Sequence, residues 1–281
     1  MRSQTLSYSQ SEYWQNLHSR TDLSAVGQSA LPGDINTWIY RAKARNLKRF
    51  ARRHGLVAKR GGRMLEVGVG TGYWVPMWKR LGYKVDGCDL IQAAVDRVQR
   101  SHPDGTFWQA DVSSPEGILP RGGHQDNQGY DLVTATEVLL HVTKDDDFLR
   151  ALGNVAAAVK PGGFLLLVEP ALTIKKKHKP YDPKLSSRAR VLRSYRKPLR
   201  GLGMTFVTVE ATTVLAGNPI EYSSKRKGNL YWKWWLAVSS TKKHPARARF
   251  IGPAMYALDG ILMRTHEAPT SKILLFRRPN S

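Results

Sequence analysis

The chain has 281 residues, 41% of them hydrophobic, with 24 glycines and 15 prolines dispersed along it; this suits one large globular domain and excludes a fibrous or low-complexity protein. Its single cysteine, Cys88, excludes an internal disulfide framework and a thiolate metal cluster, and fits a reducing compartment. Lys+Arg 44 against Asp+Glu 22 gives a net charge of +22, a field that attracts nucleic acid, phosphorylated sugars or lipids, or an anionic membrane surface, without choosing among them.

The N-terminus MRSQTLSYSQSEYW lacks the apolar core of a secretory signal, and no segment approaches the roughly 20 apolar residues needed to cross a bilayer. The expectation is a cytoplasmic protein, with peripheral membrane contact left open. Residues 1 to 34 read as a polar segment ending in the breaker LPGD. NTWIYRAKARNLKRFARRHG then places Trp38, Ile39, Leu47, Phe50 and Ala51 among basic residues and stops at Gly55, the pattern of a basic amphipathic helix. Residues 41 to 63 carry ten basic side chains and no acidic one.

From here strands and helices alternate. Strands are expected at 63–68, 84–89, 106–109, 130–136 and 163–169, and helices at 73–82, 91–101 and 145–160. Repeated strand-helix units imply a parallel sheet covered on both faces, with its ligand at the carboxyl ends of the strands. After Pro170 come a basic helix candidate at 184–201, a strand-like run at 204–215, helices near 229–239 and 250–263, and a last strand at 272–278.

The loop after the first strand reads LEVGVGTGYW. A dinucleotide site wants G-x-G-x-x-G, but the third glycine position holds Tyr73, so that pattern fails. Glu66 stands two positions before Gly68 and would repel a pyrophosphate, yet it suits an ammonium group. S-adenosylmethionine carries an ammonium and a sulfonium and no phosphate. Asp89 closes the second strand, where a carboxylate can accept two ribose hydroxyls, and Asp111 follows the third, where it can accept from an adenine amino group.

LEVGVGTG (65–72), VDGCDL (85–90), WQADV (108–112), YDLVTATEVLLHV (130–142) and VKPGGFLLLVEP (159–170) together resemble the class I S-adenosylmethionine-dependent methyltransferases over residues 63 to 170. The resemblance implies a Rossmann-like, doubly wound, mostly parallel seven-stranded sheet with helices on both faces and an antiparallel last strand. It divides the chain into an N-terminal helical lid (1–60), a cofactor-binding core (61–170) and a C-terminal acceptor-binding elaboration (171–281). It places Glu66, Gly68, Gly70 and Gly72 on the methionine side, Asp89 and Leu90 at the ribose, Asp111 and Val112 at the adenine, and Thr136 and Glu137 near the reacting methyl. GTGYW, Asn218-Pro219, Tyr256–Asp259, Pro269–Lys272 and a shortened RSY at 193–195 are similar to a bacterial subgroup associated with surface polysaccharides or secondary metabolites.

For a hydroxyl acceptor a general base helps, and His141, read as one helical turn beyond Glu137, is the candidate; packing or capping is the alternative. Asp145 to Asp147 suit a helix N-terminus better than a metal, and no metal site is expected. Tyr40 and Arg41 are candidates to reach the cofactor or acceptor. In NLYWKWWLAV, Tyr231, Trp234 or Trp235 and Val238 share a helical face that suits a pocket wall, a membrane contact or the core. The expected activity is methylation, at oxygen, of a small molecule, sugar or glycolipid, anionic or not. Methylation of RNA tracked by the basic helices, N-methylation of a secondary metabolite, and a scaffold without chemistry are the alternatives.

Overall fold

The computed structural model describes residues 9–18, 23–28, 30–58, 61–120, 129–173, 186–265 and 267–280. Helices α1 (Gln10–His18) and α2 (Gly33–Arg53) precede strand β1 (Arg63–Val67). Then follow α3 (Val75–Lys79), β2 (Lys84–Asp89), α4 (Gln92–Ser101), β3 (Phe107–Gln109), β4 (Tyr130–Thr136), α5 (Asp145–Ala157) and β5 (Val159–Glu169). The C-terminal part supplies α6 (Leu192–Gly201), β6 (Thr205–Ala211), α7 (Lys225–Ser240), α8 (Ala248–Leu262) and β7 (Lys272–Arg277).

These strands form a seven-stranded sheet in the order β3-β2-β1-β4-β5-β7-β6. The pairs among β1 to β5 are parallel, whereas β7 runs antiparallel to both β5 and β6. The doubly wound, mostly parallel sheet implied by the motifs is therefore present. Strand order reverses between β1 and β4, so a crevice opens at their carboxyl ends.

Alternate residues of each central strand enter opposite cores, as the two-residue period of a strand requires. Leu65, Val67, Val133, Ala135, Leu165 and Leu167 pack under α5 and α6. Met64, Leu132, Leu166 and Val168 pack under α2, α3 and α4. A third cluster joins Ile35 and Ile39 of α2 to Val214–Ala216 and to α7 and α8. Tyr231, Trp235 and Val238 are buried there, which settles that aromatic face as core packing.

Several elements differ from the sequence expectation. The polar N-terminal segment contains α1, whose few apolar residues gave no amphipathic period. The helix expected at 73–82 shortens to α3, because tight turns end it: the amides of Leu81 and Gly82 donate to the carbonyls of Trp78 and Lys79. The basic helix expected at 184–201 begins only at Leu192. Arg188 N–H donates to the Leu140 carbonyl and Leu172 N–H to the Arg190 carbonyl, so backbone groups a helix would need are bonded to neighbouring segments. Residues 174–185, the other part of that basic run, lie outside the described residues, as do His124, His178 and His266.

The acidic triplet Asp145–Asp147 does open α5. Asp145 pairs with Arg188 and Asp147 with Arg150. Cys88 is buried in β2, and burial, followed by the charge of Asp89, pushes its thiol far above the ordinary range. It is an inert small hydrophobe.

Candidate functional site

The loop after β1 is held in shape by β2. Gly68 and Val69 N–H groups donate to the Cys88 carbonyl at 2.8 and 3.1 Å. The Asp89 carboxylate accepts from Gly70 N–H at 2.8 Å and from Ile91 N–H at 3.0 Å, so one side chain ties the glycine loop to the start of α4. Gly68 sits at φ +75°, and a Cβ there would overlap Val138 Cγ2. Glycine is required there both by the backbone and by the close approach.

A cavity lies over this loop. It is lined by Gly68, Gly70, Asp89, Leu90, Asp111, Val112, Thr136, Glu137 and His141, which come from the ends of β1 to β4. Nine of the eleven site residues expected from sequence are thus brought together. The other two stand behind the lining. Gly72 faces Val98 of α4, where a Cβ would come within 3.2 Å, so it serves loop packing. Glu66 is buried beneath the loop.

Glu66 is the most informative residue of the site. Both its carboxylate oxygens are buried without a hydrogen-bond partner, and so are the hydroxyls of Thr71 and of Thr134, its neighbour across the β1–β4 pairing. Burial first, and then the nearby Asp89, push its carboxyl well above the usual carboxylate range. Unsatisfied buried polar groups are costly and call for a partner. An ammonium-bearing ligand in the cradle would supply one, so the donor set fits an amino-acid-type cofactor of the S-adenosylmethionine kind. Asp111, which accepts from Ser113 N–H and Oγ–H at 2.7 Å each, is exposed at the rim of the same cavity.

Glu137 and His141 are not on one helical turn. Glu137 adopts φ +57°, unusual for a side-chain-bearing residue, and Leu139–His141 forms a 3₁₀ turn. The irregular turn is held from three sides. The Glu169 carboxylate accepts from Val138 and Leu139 N–H at 3.2 and 2.8 Å. The Arg190 guanidinium donates to the Val142 and Thr143 carbonyls at 2.7 and 3.1 Å. The Glu137 carboxylate accepts from Lys43 Nζ at 2.6 Å and Ser271 Oγ at 3.1 Å. Burial pushes the Glu137 carboxyl up, but the charge and hydrogen bond of Lys43, with Ser271, outweigh it and hold the group below its usual value.

His141 Nδ1 lies 2.6 Å from the Ser186 carbonyl. A carbonyl only accepts, so Nδ1 carries the proton and the neutral ring keeps its lone pair on Nε2. Burial lowers the imidazole pKa below its ordinary value, against the opposing pull of the Ser186 carbonyl and Glu137. At neutral pH the ring is a free base.

A second cavity of about 330 Å³ adjoins the first and shares Trp14, Val26, Tyr40, Glu137 and His141 with it, a size within the range of small-molecule sites. Among the described residues that line it, the only charged side chains are Lys43 and Glu137, which neutralise each other. Ile39, Leu140 and Ile220 give apolar wall, while Gln28, Ser187 and Asn218 place polar side chains around it.

Sequence reasoning missed Gln10 and Trp14 of α1, Val26, and Trp74, all of which line the first cavity. The only signal for α1 was the aromatic pair Tyr13-Trp14 in a polar stretch. Of the two lid candidates on α2, Tyr40 lines both cavities, with its hydroxyl donating to the Val26 carbonyl at 3.0 Å. Arg41 lines neither and rests over the Trp38 ring.

Known proteins match this chain in both sequence and fold. A family model described as a methyltransferase domain matches residues 35–236. A ubiquinone biosynthesis O-methyltransferase of Bradyrhizobium sp. (strain ORS 278) is 33% identical over 135 residues, 47% of this chain and 48% of that protein. The chain thus spans about half the length of that curated relative. Among solved structures, the [4+2]-cyclase SpnF superposes with a TM-score of 0.52 at 19% identity, covering 83% of this chain and 81% of that one. Magnesium protoporphyrin IX methyltransferase from Synechocystis PCC 6803, solved with bound SAH, gives 0.50 at 14% identity, covering 95% and 93%. At such identities the likeness concerns the fold, and a cyclase among these neighbours means that activity has to be argued from the site.

Proposed function

The chain belongs to the methyltransferase-domain family, and from that premise we propose that it is an S-adenosylmethionine-dependent O-methyltransferase acting on an uncharged hydroxylated small molecule. The observation that carries the reading is the position of His141: a neutral imidazole with its proton fixed on Nδ1, lining both the glycine-loop cavity and the adjoining one.

In this reading Glu66 receives the ammonium of the cofactor, the loop from Gly68 to Gly72 lies against its methionine portion, Asp89 and Leu90 hold the ribose, and Asp111 and Val112 the adenine. The cofactor, when bound, would supply an electrophilic methyl group on its sulfonium, the rest of the cofactor being left as a neutral thioether. The acceptor occupies the second cavity, and Tyr40, Trp14 and Glu137 at the junction fix its approach. As the new carbon–oxygen bond forms, the hydroxyl proton passes to Nε2 of His141. The Ser186 carbonyl and the Glu137 carboxylate stabilise the resulting imidazolium. Alignment contributes most of the acceleration, and the base about 10²- to 10⁴-fold more. The lid at 1–60, the core at 61–170 and the acceptor elaboration at 171–281 are kept as part of this proposal, with α1 and α2 closing over both ligands.

Among the described residues the lining is neutral, which favours a phenol or a sugar unit over the anionic acceptor that net charge alone suggests. The relative from Bradyrhizobium, named for oxygen methylation in ubiquinone biosynthesis, supports methylation at oxygen. RNA tracking loses some support because part of the basic run is spent internally, although Arg41, Arg49, Arg52, Arg193, Arg196 and Arg200 stay exposed. Lys43, Arg45 and Arg63 pair with Glu137, Asp259 and Asp86, and Arg188 and Arg190 are buried.

The test is incubation with methyl-labelled S-adenosylmethionine and an extract separated into small molecules, lipid, glycan and RNA. Label in uncharged small molecules supports the reading, and label in RNA overturns the acceptor class. Failure to bind S-adenosylmethionine by calorimetry overturns the whole.

A further inference from the structure

Helix α8 presents two faces of unlike character. Ala248, Gly252, Met255 and Asp259 are buried against the third core cluster and α2. The opposite face, Phe250, Ala254, Ala257, Leu258 and Ile261, is exposed, and no polar residue interrupts it over three turns. Phe250 is 67% exposed and Ile261 61%. The spacing i, i+4, i+7, i+8, i+11 makes it a single stripe. Neighbouring α7 exposes Leu230 and Leu236, at 65% and 63%. An uninterrupted apolar stripe of this length on α8 marks a contact site.

The charge around it is one-sided. From Ser223 to Leu258 the chain carries eight Lys and Arg and no Asp or Glu. Lys242, Lys243, Arg247 and Arg249 are exposed at the N-terminal end of α8, and Arg264 lies exposed just beyond its C-terminal end. Asp34 of α2 is exposed, while the acidic residues that border this segment in sequence are occupied. Asp259 is buried and held by Arg45, Glu221 is buried with Lys272, and Glu267 pairs with Lys227.

We infer that the outer face of α8, flanked by Lys242, Lys243, Arg247, Arg249 and Arg264, is a docking surface for an anionic lipid bilayer. Paired symmetrically, a second copy of this chain would set basic rim against basic rim. A bilayer takes the apolar ridge at its acyl boundary and the basic rim among its phosphates at once. No helix among the described residues is long and apolar enough to cross a membrane, so contact is along the surface. The same layer packs on Val214–Ala216, and Ala216 lines the second cavity, so docking sets the bilayer beside a wall of that cavity. The inference goes beyond the proposed methyl transfer and does not depend on it.

Cosedimentation with vesicles tests it without any readout of activity. Vesicles of phosphatidylglycerol mixed with phosphatidylcholine bind the protein at least about tenfold more tightly than phosphatidylcholine alone, and added salt weakens the difference. Phe250→Ser with Ile261→Ser leaves the net charge intact and lowers binding by about tenfold or more. Lys242→Gln with Lys243→Gln lowers it by a similar factor, about fivefold per charge. Circular dichroism and Tm stay unchanged in these variants, which shows that they fold. Equal binding to both vesicle types, or serine variants that bind like the wild type, overturns the inference. So does a dimer in sedimentation that the serine variants dissolve, which would assign the face to a second copy.

Discussion

The imidazole of His141 meets the indole of Trp14 edge to face, with ring centroids 4.7 Å apart. A residue of the N-terminal helix and one after the fourth strand, distant in sequence, thereby close the junction of the two cavities. Such a pair contributes roughly 0.5–1.5 kcal/mol beyond burial. Trp14→Ala should therefore raise the KM for both cofactor and acceptor by about 2- to 10-fold, with the fold intact by circular dichroism. Unchanged kinetics would show that α1 does not cover the site.

His141→Ala should reduce kcat by about 10²- to 10⁴-fold while calorimetric affinity for S-adenosylmethionine changes little. In the wild type, rate should fall in acid as Nε2 takes a proton. Because burial lowers the imidazole pKa, that limb should lie below the ordinary histidine value of about 6.5. A limb at or above that value, or one retained in His141→Ala, would remove His141 as the base.

Glu66→Gln separates binding from stability. The buried, unpartnered carboxylate destabilises the cofactor-free protein, so the neutral amide should raise its Tm at neutral pH. The same change removes the charge that receives an ammonium and should weaken S-adenosylmethionine binding by at least about tenfold, as for loss of a charged hydrogen bond. Tm and calorimetry on one preparation check both signs.

Glu169 is raised from 4.5 to about 8, by burial first, against the hydrogen bonds from the Leu139, Leu140 and Val138 amides. The native state keeps a proton that the unfolded chain releases above 4.5, so stability falls as pH rises from 4.5 to about 8. Glu169→Gln should flatten that decline. Glu169→Ala strands the Val138 and Leu139 amides, at about 1–3 kcal/mol each, and should also slow turnover by loosening the turn that carries His141. Thermal melts across pH, with kcat for both variants, test this.

Gly68→Ala adds a Cβ that overlaps Val138 at a positive φ. The backbone strain alone costs of order 1–3 kcal/mol, and the cradle should lose cofactor affinity. Val138→Ala in the same chain should recover part of the stability and none of the strain. A fully restored Tm would show that sterics alone demand glycine there.

The alternation of strands and helices between residues 63 and 169 was legible because each period, two or 3.6, is written locally, and a parallel arrangement of β1 to β5 followed. The convergence of the candidate site residues around one cavity was legible for the same reason: glycines and acidic residues stand at the ends of successive strands, and the parallel sheet brings those ends together. Illegible were α1, the true start of α6 and the turn at Glu137. Each is stabilised by contacts distant in sequence: Trp14 on His141, Arg188 on Leu140, Lys43 and Ser271 on Glu137.

By itself the sequence determined the mostly parallel sheet and the glycine loop, because hydrophobic period and glycine placement act through neighbours along the chain. Only the tertiary structure decided which basic residues are spent inside, that Tyr231, Trp235 and Val238 are core, that α8 turns an apolar face outward, and that His141 stands neutral between two cavities. Those outcomes depend on burial and on partners supplied by other elements, and neither is written in the local order of residues.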